Sequence, residues 1–339
     1  MIPDTAPGDL LSPPPPLASL RTGPQPARVG NVLIGTASWT EKTLLESGAF
    51  YPPAVKTPAD RLRYYARHFP VVEVDATYYA LPALRSTGAW AERTPRDFVF
   101  GVKAFAPMTG HPIETKRLDR DLVAVLPAVQ RRADSLRATE LPAEVLDEIW
   151  RRFRAVLEPL VATGKLGYVL VQMPPWFRPN RPALAYLDAL PERLPDVRIA
   201  VEFREAGWLA PERGDETLRR LRERGLAYVC VDEPQGTRAS VPPVATATRD
   251  DLAVVRFHGR RRETWTRPGA GTTERFRYRY RLDELAEWTE RLRRLAGGAR
   301  RVYVLMNNCH RESAVQGAKD LARLLAAAGA GFDGPIRPD

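Results

Sequence analysis

The run Val71-Val72-Glu73-Val74-Asp75-Ala76-Thr77-Tyr78-Tyr79 decides how the chain is read. With the two-residue period of a strand, Val71, Glu73 and Asp75 point one way and Val72 and Val74 the other. Two acids on one face of an otherwise apolar strand need partners or a wet mouth, because a parallel strand is normally covered on both faces. The plain alternative is a structural acid tied to an arginine.

Working outward, short apolar runs alternate with amphipathic stretches, the pattern of repeated strand-helix units. The predicted strands are Val32 to Thr36, Val71 to Asp75, Phe98 to Lys103, Gly167 to Gln172, Arg198 to Glu202, Ala227 to Asp232, Leu252 to Phe257 and Arg301 to Met306. Helices are predicted over Pro58 to His68, Pro142 to Ala162, Pro182 to Leu190, Glu216 to Arg224, Leu282 to Leu295 and Ser313 to Ala328. Eight strands with intervening helices point to an α/β fold of the (β/α)₈ TIM-barrel type, a single domain over 30–330. A proline-rich stretch, 1–29, lacks periodicity and is expected to be a disordered tail, with a shorter C-terminal tail over 331–339. The connection Ala104 to Leu166 is unusually long, as expected of an insertion that walls a substrate site.

The bulk numbers bound the partners. In 339 residues, 44% hydrophobic and 27% charged, no apolar run approaches a membrane span and no secretory leader is seen, so a cytoplasmic location is expected. Cys230 and Cys309 are too few for a disulfide framework. A formal charge of +10 permits nucleic acid as a partner without requiring it. Most arginines lie in helical patterns, where a solvated face is the simpler reading, although Arg260-Arg261-Arg262 beside Trp265 keeps a polyanion surface open.

In a barrel the working face lies at the carboxyl ends of the strands. Collecting the last inward residues gives Glu73 and Asp75, Lys103, Gln172, Glu202 with Arg204, Asp232, Arg256 with His258, and Asn307-Asn308. Glu73 and Glu202 are candidates for a general acid/base pair, with Asp232 and His258 as further catalytic groups. Lys103 is a candidate point charge or Schiff-base nucleophile. Arg204 and Arg256 suit bidentate recognition of phosphate or carboxylate. The alternative for each is a salt bridge within the ring. Gln172, Asn307 and Asn308 suit substrate hydrogen bonds, and Trp39, Tyr78, Tyr79, Trp176, Trp208 and Trp265 lie in loops where they can stack on a ligand or cap the core. The glycine spacing after the first strand does not match a dinucleotide fingerprint, so no nicotinamide cofactor is expected. The four histidines have no helical ligand spacing, so no metal site is assigned, and a single divalent cation held by carboxylates stays open.

Several of these motifs together resemble the YecE-like barrels, the domain of unknown function 72. They are Phe50-Tyr51-Pro52, Tyr64-Tyr65, His68-Phe69, Val72 to Tyr79, Phe98 to Lys103, Gln172-Met173-Pro174-Pro175, Val201-Glu202-Phe203-Arg204 with Trp208, Arg256-Phe257-His258-Gly259 and Asn307-Asn308. The resemblance runs from about residue 31 to 328 and implies a TIM-type barrel but no reaction. Two departures stand out: Thr109-Gly110-His111 has a glycine where the family usually joins Thr to His, and Gly317-Ala318 replaces the usual Asn-Ala. The function expected is an enzyme acting on a small anionic substrate, a hydrolase or lyase by acid/base chemistry. The alternatives are nucleic-acid binding or processing and a non-catalytic metabolite-binding barrel.

Overall fold

The computed structural model describes residues 27–335, apart from 268 and 270. Its frame is a closed ring of eight parallel strands: β1 (Val32–Thr36), β2 (Val71–Val74), β3 (Val99–Lys103), β4 (Leu166–Gln172), β5 (Ile199–Glu202), β6 (Ala227–Asp232), β7 (Ala253–Phe257) and β8 (Val302–Met306). Each strand pairs with the next, and β8 returns to β1 in register Val32↔Val302 to Thr36↔Met306. This is the TIM-type barrel expected, and the strand bounds agree within one residue at each end.

The ring has one thin seam. β1 meets β2 at a single pair, Thr36↔Val72. There the Tyr65 hydroxyl stands between the strands, accepting from the Thr36 amide at 2.9 Å and donating to the Val71 carbonyl at 3.0 Å. Tyr65 is delivered by the helix Pro58–Ala66, whose start is fixed by Pro58 and by a capping box between Thr57 and Asp60. Gly35 permits the close approach, since a Cβ there would lie 2.0 Å from the Val71 oxygen.

The early half of β1 is covered from outside the ring. Arg28–Val29 pairs antiparallel with it in register Val29↔Val32, and Ala27 is buried. Chain expected to be tail is therefore part of the fold from Ala27 on, because β2 is too displaced to shield that edge. The Phe332 side chain is also buried, and its carbonyl accepts from the Asn31 amide, so the fold runs beyond the expected boundary at 330. Residues 1–26 and 336–339 lie outside the described residues.

Helices cover the barrel with apolar faces. In Ala143–Ala162, Val145, Ile149, Trp150, Phe153, Val156, Leu157 and Leu160 are all buried at helical spacing. Full burial of one such side chain contributes about 1.5–3 kcal/mol. The helix predicted over Leu282 to Leu295 is two helices, Leu282–Ala286 and Thr289–Gly298, broken around Trp288. Trp288 is fully buried against Phe257 and donates to Asp232, and this tertiary anchoring sets the break. The long insertion contains a two-stranded ribbon, Ile113–Glu114 with Ser135–Leu136, and the short helices Arg120–Ala124 and Ala128–Arg131. No helix among the described residues is long and apolar enough to cross a membrane.

Candidate active site at the barrel mouth

In-register neighbours in a sheet share a face. Glu73 pairs with Gly101, which pairs with Tyr168; Gln172 pairs with Glu202; Arg256 pairs with Val231 and Leu305. These positions face the barrel interior, where they form two tiers.

The lower tier is a sealed floor. Arg256, fully buried, spans two fully buried carboxylates: one Nη donates to Glu73 Oε1 and the other to Glu202 Oε2, each at 2.6 Å. Gln172 Oε1 accepts from the same guanidinium at 3.2 Å. The Tyr168 hydroxyl reaches over β3 to donate to Glu73 Oε2 at 2.9 Å. Gly101 makes this crossing possible, since a Cβ there would lie 2.5 Å from the Tyr168 ring. Arg204 Nε donates to Glu202 Oε1 at 2.5 Å and its Nη1 to Glu233 at 3.2 Å.

These contacts drive the carboxylates apart in acidity. Burial opposes ionisation of Glu202, but Arg204 and Arg256 outweigh it and hold the group well below the usual carboxylate range. Burial lifts Glu73 to about 7 despite Arg256, and Glu233 to about 8 despite Arg204. His258, buried beside Glu202, has Arg204 Nη2 at 3.0 Å from Nε2 and Asn307 Nδ2 at 2.9 Å from Nδ1. A neutral ring can accept one of these donors and a charged ring neither. Burial, reinforced by Arg204, accordingly pushes His258 down to about 3.

The upper tier reaches solvent. Lys103 and Asp75 side chains retain 11% and 25% of their exposure and lie 3.8 Å apart. Lys103 Nζ also sits 4.7 Å from the centre of the Tyr78 ring. Burial lowers the Lys103 pKa, with Asp75 opposing. Asp75 Oδ1 is buried without a hydrogen-bond partner among the described residues, with Arg256 Nη2 3.6 Å and Lys103 Nζ 3.8 Å away. His111 packs edge-on against Tyr78 and Trp176, accepts or donates through Nδ1 to Thr109 at 2.8 Å, and is pushed down to about 3 by burial and by Lys103 and Arg204. Trp176 and Tyr79 are exposed at the rim, and Trp265 covers Arg204 with its ring centre 5.0 Å away. Gly110 takes the left-handed conformation that turns the chain into His111.

Other expected residues fall elsewhere. Asp232 is in register with Phe257 on the helix-facing side; it accepts from Tyr280, Trp288 and Arg260 and ties the wall to its helices. The inward acid is the next residue, Glu233, which the reading by strand end passed over; strand parity carried one residue further would have found it. Trp208 stacks on Phe203 at 4.5 Å and on Phe177 and is buried, so it caps the core away from the mouth. Trp39 packs against Trp90 of the helix Leu84–Glu92, in the outer layer. Asn308 is buried and donates to the Tyr278 carbonyl, the role of a turn former, while Asn307 reaches the floor. Gly317, in the last helix, faces Met306 of β8, where a Cβ would lie 3.6 Å from the sulfur, an ordinary contact. Among the described residues no group of three His, Cys, Asp or Glu is arranged to hold a metal ion.

The family model described as "Protein of unknown function DUF72" matches residues 33–339. The chain is 33% identical over 298 residues to the UPF0759 protein YunF of Bacillus subtilis (strain 168), covering 87% of this chain and 94% of that one. It is 28% identical over 204 residues to the UPF0759 protein YecE of Escherichia coli (strain K12), 59% of each chain. Among solved structures, a DUF72 family protein from Thermotoga maritima has a TM-score of 0.68 at 29% identity, covering 87% of this chain and 99% of that one. One from Enterococcus faecalis has a TM-score of 0.69 at 24% identity, covering 91% and 100%. None of these names states an activity. On both the length of the match and the shared architecture, the chain belongs to the DUF72 family.

Proposed function

We propose that the barrel acts on a small anionic substrate by proton-transfer chemistry at its carboxyl-end mouth. The observation that carries this reading is the stacking of two tiers: the Lys103 and Asp75 side chains, 11% and 25% exposed, stand at the mouth over a fully buried network of charges. Lys103 and Asp75 exchange protons with the substrate. Lys103 supplies the positive charge at the mouth for its phosphate or carboxylate, and Arg204, its nitrogens engaged by Glu202, Glu233 and His258, adds to the field from below. Glu73 and Glu202, the pair expected to act as acid and base, become positioning groups here, since neither has exposed surface. A purely structural barrel would fill these positions with branched apolar side chains.

The basic run at the surface favours no second reading. Arg260 is held by Asp232 and Glu287, and Arg261 lies 3.8 Å from Glu263, so the charges of this run are largely met within the chain.

The test is a thermal-shift screen against phosphorylated metabolites, carboxylic acids, nucleotides and short oligonucleotides at two salt concentrations. Ligand binding to the native state raises the melting temperature. The expected result is a salt-tolerant shift from small anions, lost in Lys103→Met and weakened in Arg204→Lys. A shift given by oligonucleotides alone and fading with salt, or one indifferent to both variants, would overturn the reading.

A further inference from the structure

We infer that Lys103 is a covalent, imine-forming lysine and that the substrate is a small aldehyde or ketone bearing an anionic group. The inference rests on the anion-binding reading above and deepens it by naming the reacting function.

Three observations converge on this residue. The first is access: Lys103 closes β3 on the inward face, its side chain 11% exposed. The second is its setting. Lys103 faces Asp75, which follows the end of β2, and the Tyr78 ring; Arg256 lies 3.6 Å from the same acid, and His111 is close enough to be perturbed by the charge. An ammonium held only for charge would be expected to donate to carboxylates at bonding distance, as Arg256 does. At 3.8 Å Lys103 is near its acid without being consumed by it. The third is anchoring: the single proton of the Thr77 hydroxyl is shared between the Lys103 carbonyl at 2.6 Å and the Val74 carbonyl at 2.9 Å. That clip ties the strand end carrying the lysine to the segment carrying Asp75 and Tyr78, which fixes their relative position. Lys165, also buried, shows the contrast: its amine is saturated by the Ala91 and Thr94 carbonyls and the Thr94 hydroxyl.

The step balances without any further reactant. The Lys103 lone pair attacks the carbonyl carbon, the C–N bond forms, and the carbonyl π electrons move to oxygen. Asp75 takes a proton from the nitrogen and returns it to that oxygen. Loss of the second N–H proton and of the oxygen as water leaves C=N, so both amine hydrogens depart in one water molecule. Burial favours the step because each unit of lowered pKa raises the free-amine fraction near neutral pH about tenfold.

The chain is well suited to the test because it has six lysines, of which Lys42 and Lys116 are exposed controls. The folded protein is incubated with pyruvate, with glyceraldehyde 3-phosphate or with dihydroxyacetone phosphate, then reduced with sodium borohydride and mapped by peptide mass spectrometry. The expected result is a reduced adduct on Lys103 at about tenfold or greater occupancy over Lys42 and Lys116. Asp75→Asn should slow its formation about tenfold or more. Pyruvate against the two phosphates separates a carboxylate from a phosphate substrate. No adduct on Lys103, or equal labelling of Lys103 and the exposed lysines, overturns the inference. Lys103→Arg keeps the charge and the packing on Tyr78, and its melting temperature with the same anions separates the two readings. If anions still stabilise this variant and the wild-type chain while the wild-type chain gives no adduct, the imine fails and the anion site stands. If neither anions nor adducts register, both fail.

Discussion

The floor and the rim of this barrel both set a cation against carboxylates and do opposite things with them. In the floor, Arg256 meets Glu73 and Glu202 at 2.6 Å with no exposed surface on any of the three. At the rim, Lys103 and Asp75 stand 3.8 Å apart and partly exposed. A buried ion pair costs desolvation on both partners and holds together only when its hydrogen bonds are made. A partly exposed pair costs less and binds less. The floor is therefore committed to structure, and the rim keeps reactive groups available.

The largest expected effect breaks that commitment. Arg256→Met strands two carboxylates in the interior and should destabilise the fold by about 3–5 kcal/mol, or prevent folding, as read by urea denaturation. If it costs as little as a rim substitution, the floor is not a locked network.

The pH dependence sharpens the same contrast. Between the ordinary carboxylate range and their raised values of about 7 and about 8, Glu73 and Glu233 hold protons in the folded chain that the unfolded chain has released. Stability from these groups falls as pH rises through that window. His111 and His258, pushed down to about 3, act oppositely: below about 6.5 the unfolded chain binds protons that the fold refuses, so stability falls as pH drops. Lys103 also runs against the acids, toward its unfolded value near about 10.4. The difference in slope between wild type and Glu233→Gln isolates the acid from about pH 6.5 to 8. Glu233→Gln should flatten the decline by at most about 1.4 kcal/mol per pH unit. An unchanged slope would mean that Glu233 does not hold its proton there.

Smaller effects follow. Tyr168→Phe removes one hydrogen bond to a buried carboxylate and should cost about 1.5–3 kcal/mol in the same denaturation experiment. Lys103→Met keeps the volume of a partly exposed side chain and should change stability by less than about 1 kcal/mol while abolishing labelling by carbonyl compounds. A large loss of stability in this variant would place Lys103 with the floor.

The sequence made the barrel legible because each strand is a short run of branched apolar residues between turn signals, and parity then put Glu73, Lys103, Gln172, Glu202, Arg204, Arg256 and His258 on one face. What it hid is instructive. Asp232 ends its strand, and position at a strand end suggests an inward side chain, but a terminal residue's side follows parity, and parity assigns the mouth to Glu233. His111 reaches the rim through a tertiary path, a turn at Gly110 and packing on Tyr78, that no local spacing encodes. Trp208 and Trp39 lie past strand ends like Tyr78 but fill the outer layers, because loop direction depends on what the loop packs against. The split between floor and rim was also out of reach, since strand position does not report depth.

The seam between β1 and β2 carries a consequence for motion. A ladder with one paired residue, bridged by the hydroxyl of Tyr65, has little of the hydrogen bonding that holds the other strands together. In hydrogen-exchange terms, the Thr36 amide depends on a side chain for its protection, whereas amides such as those of β7 sit inside a continuous ladder on both sides. The barrel should open first along this line, and Tyr65→Phe should release Thr36 to exchange while leaving β7 protected.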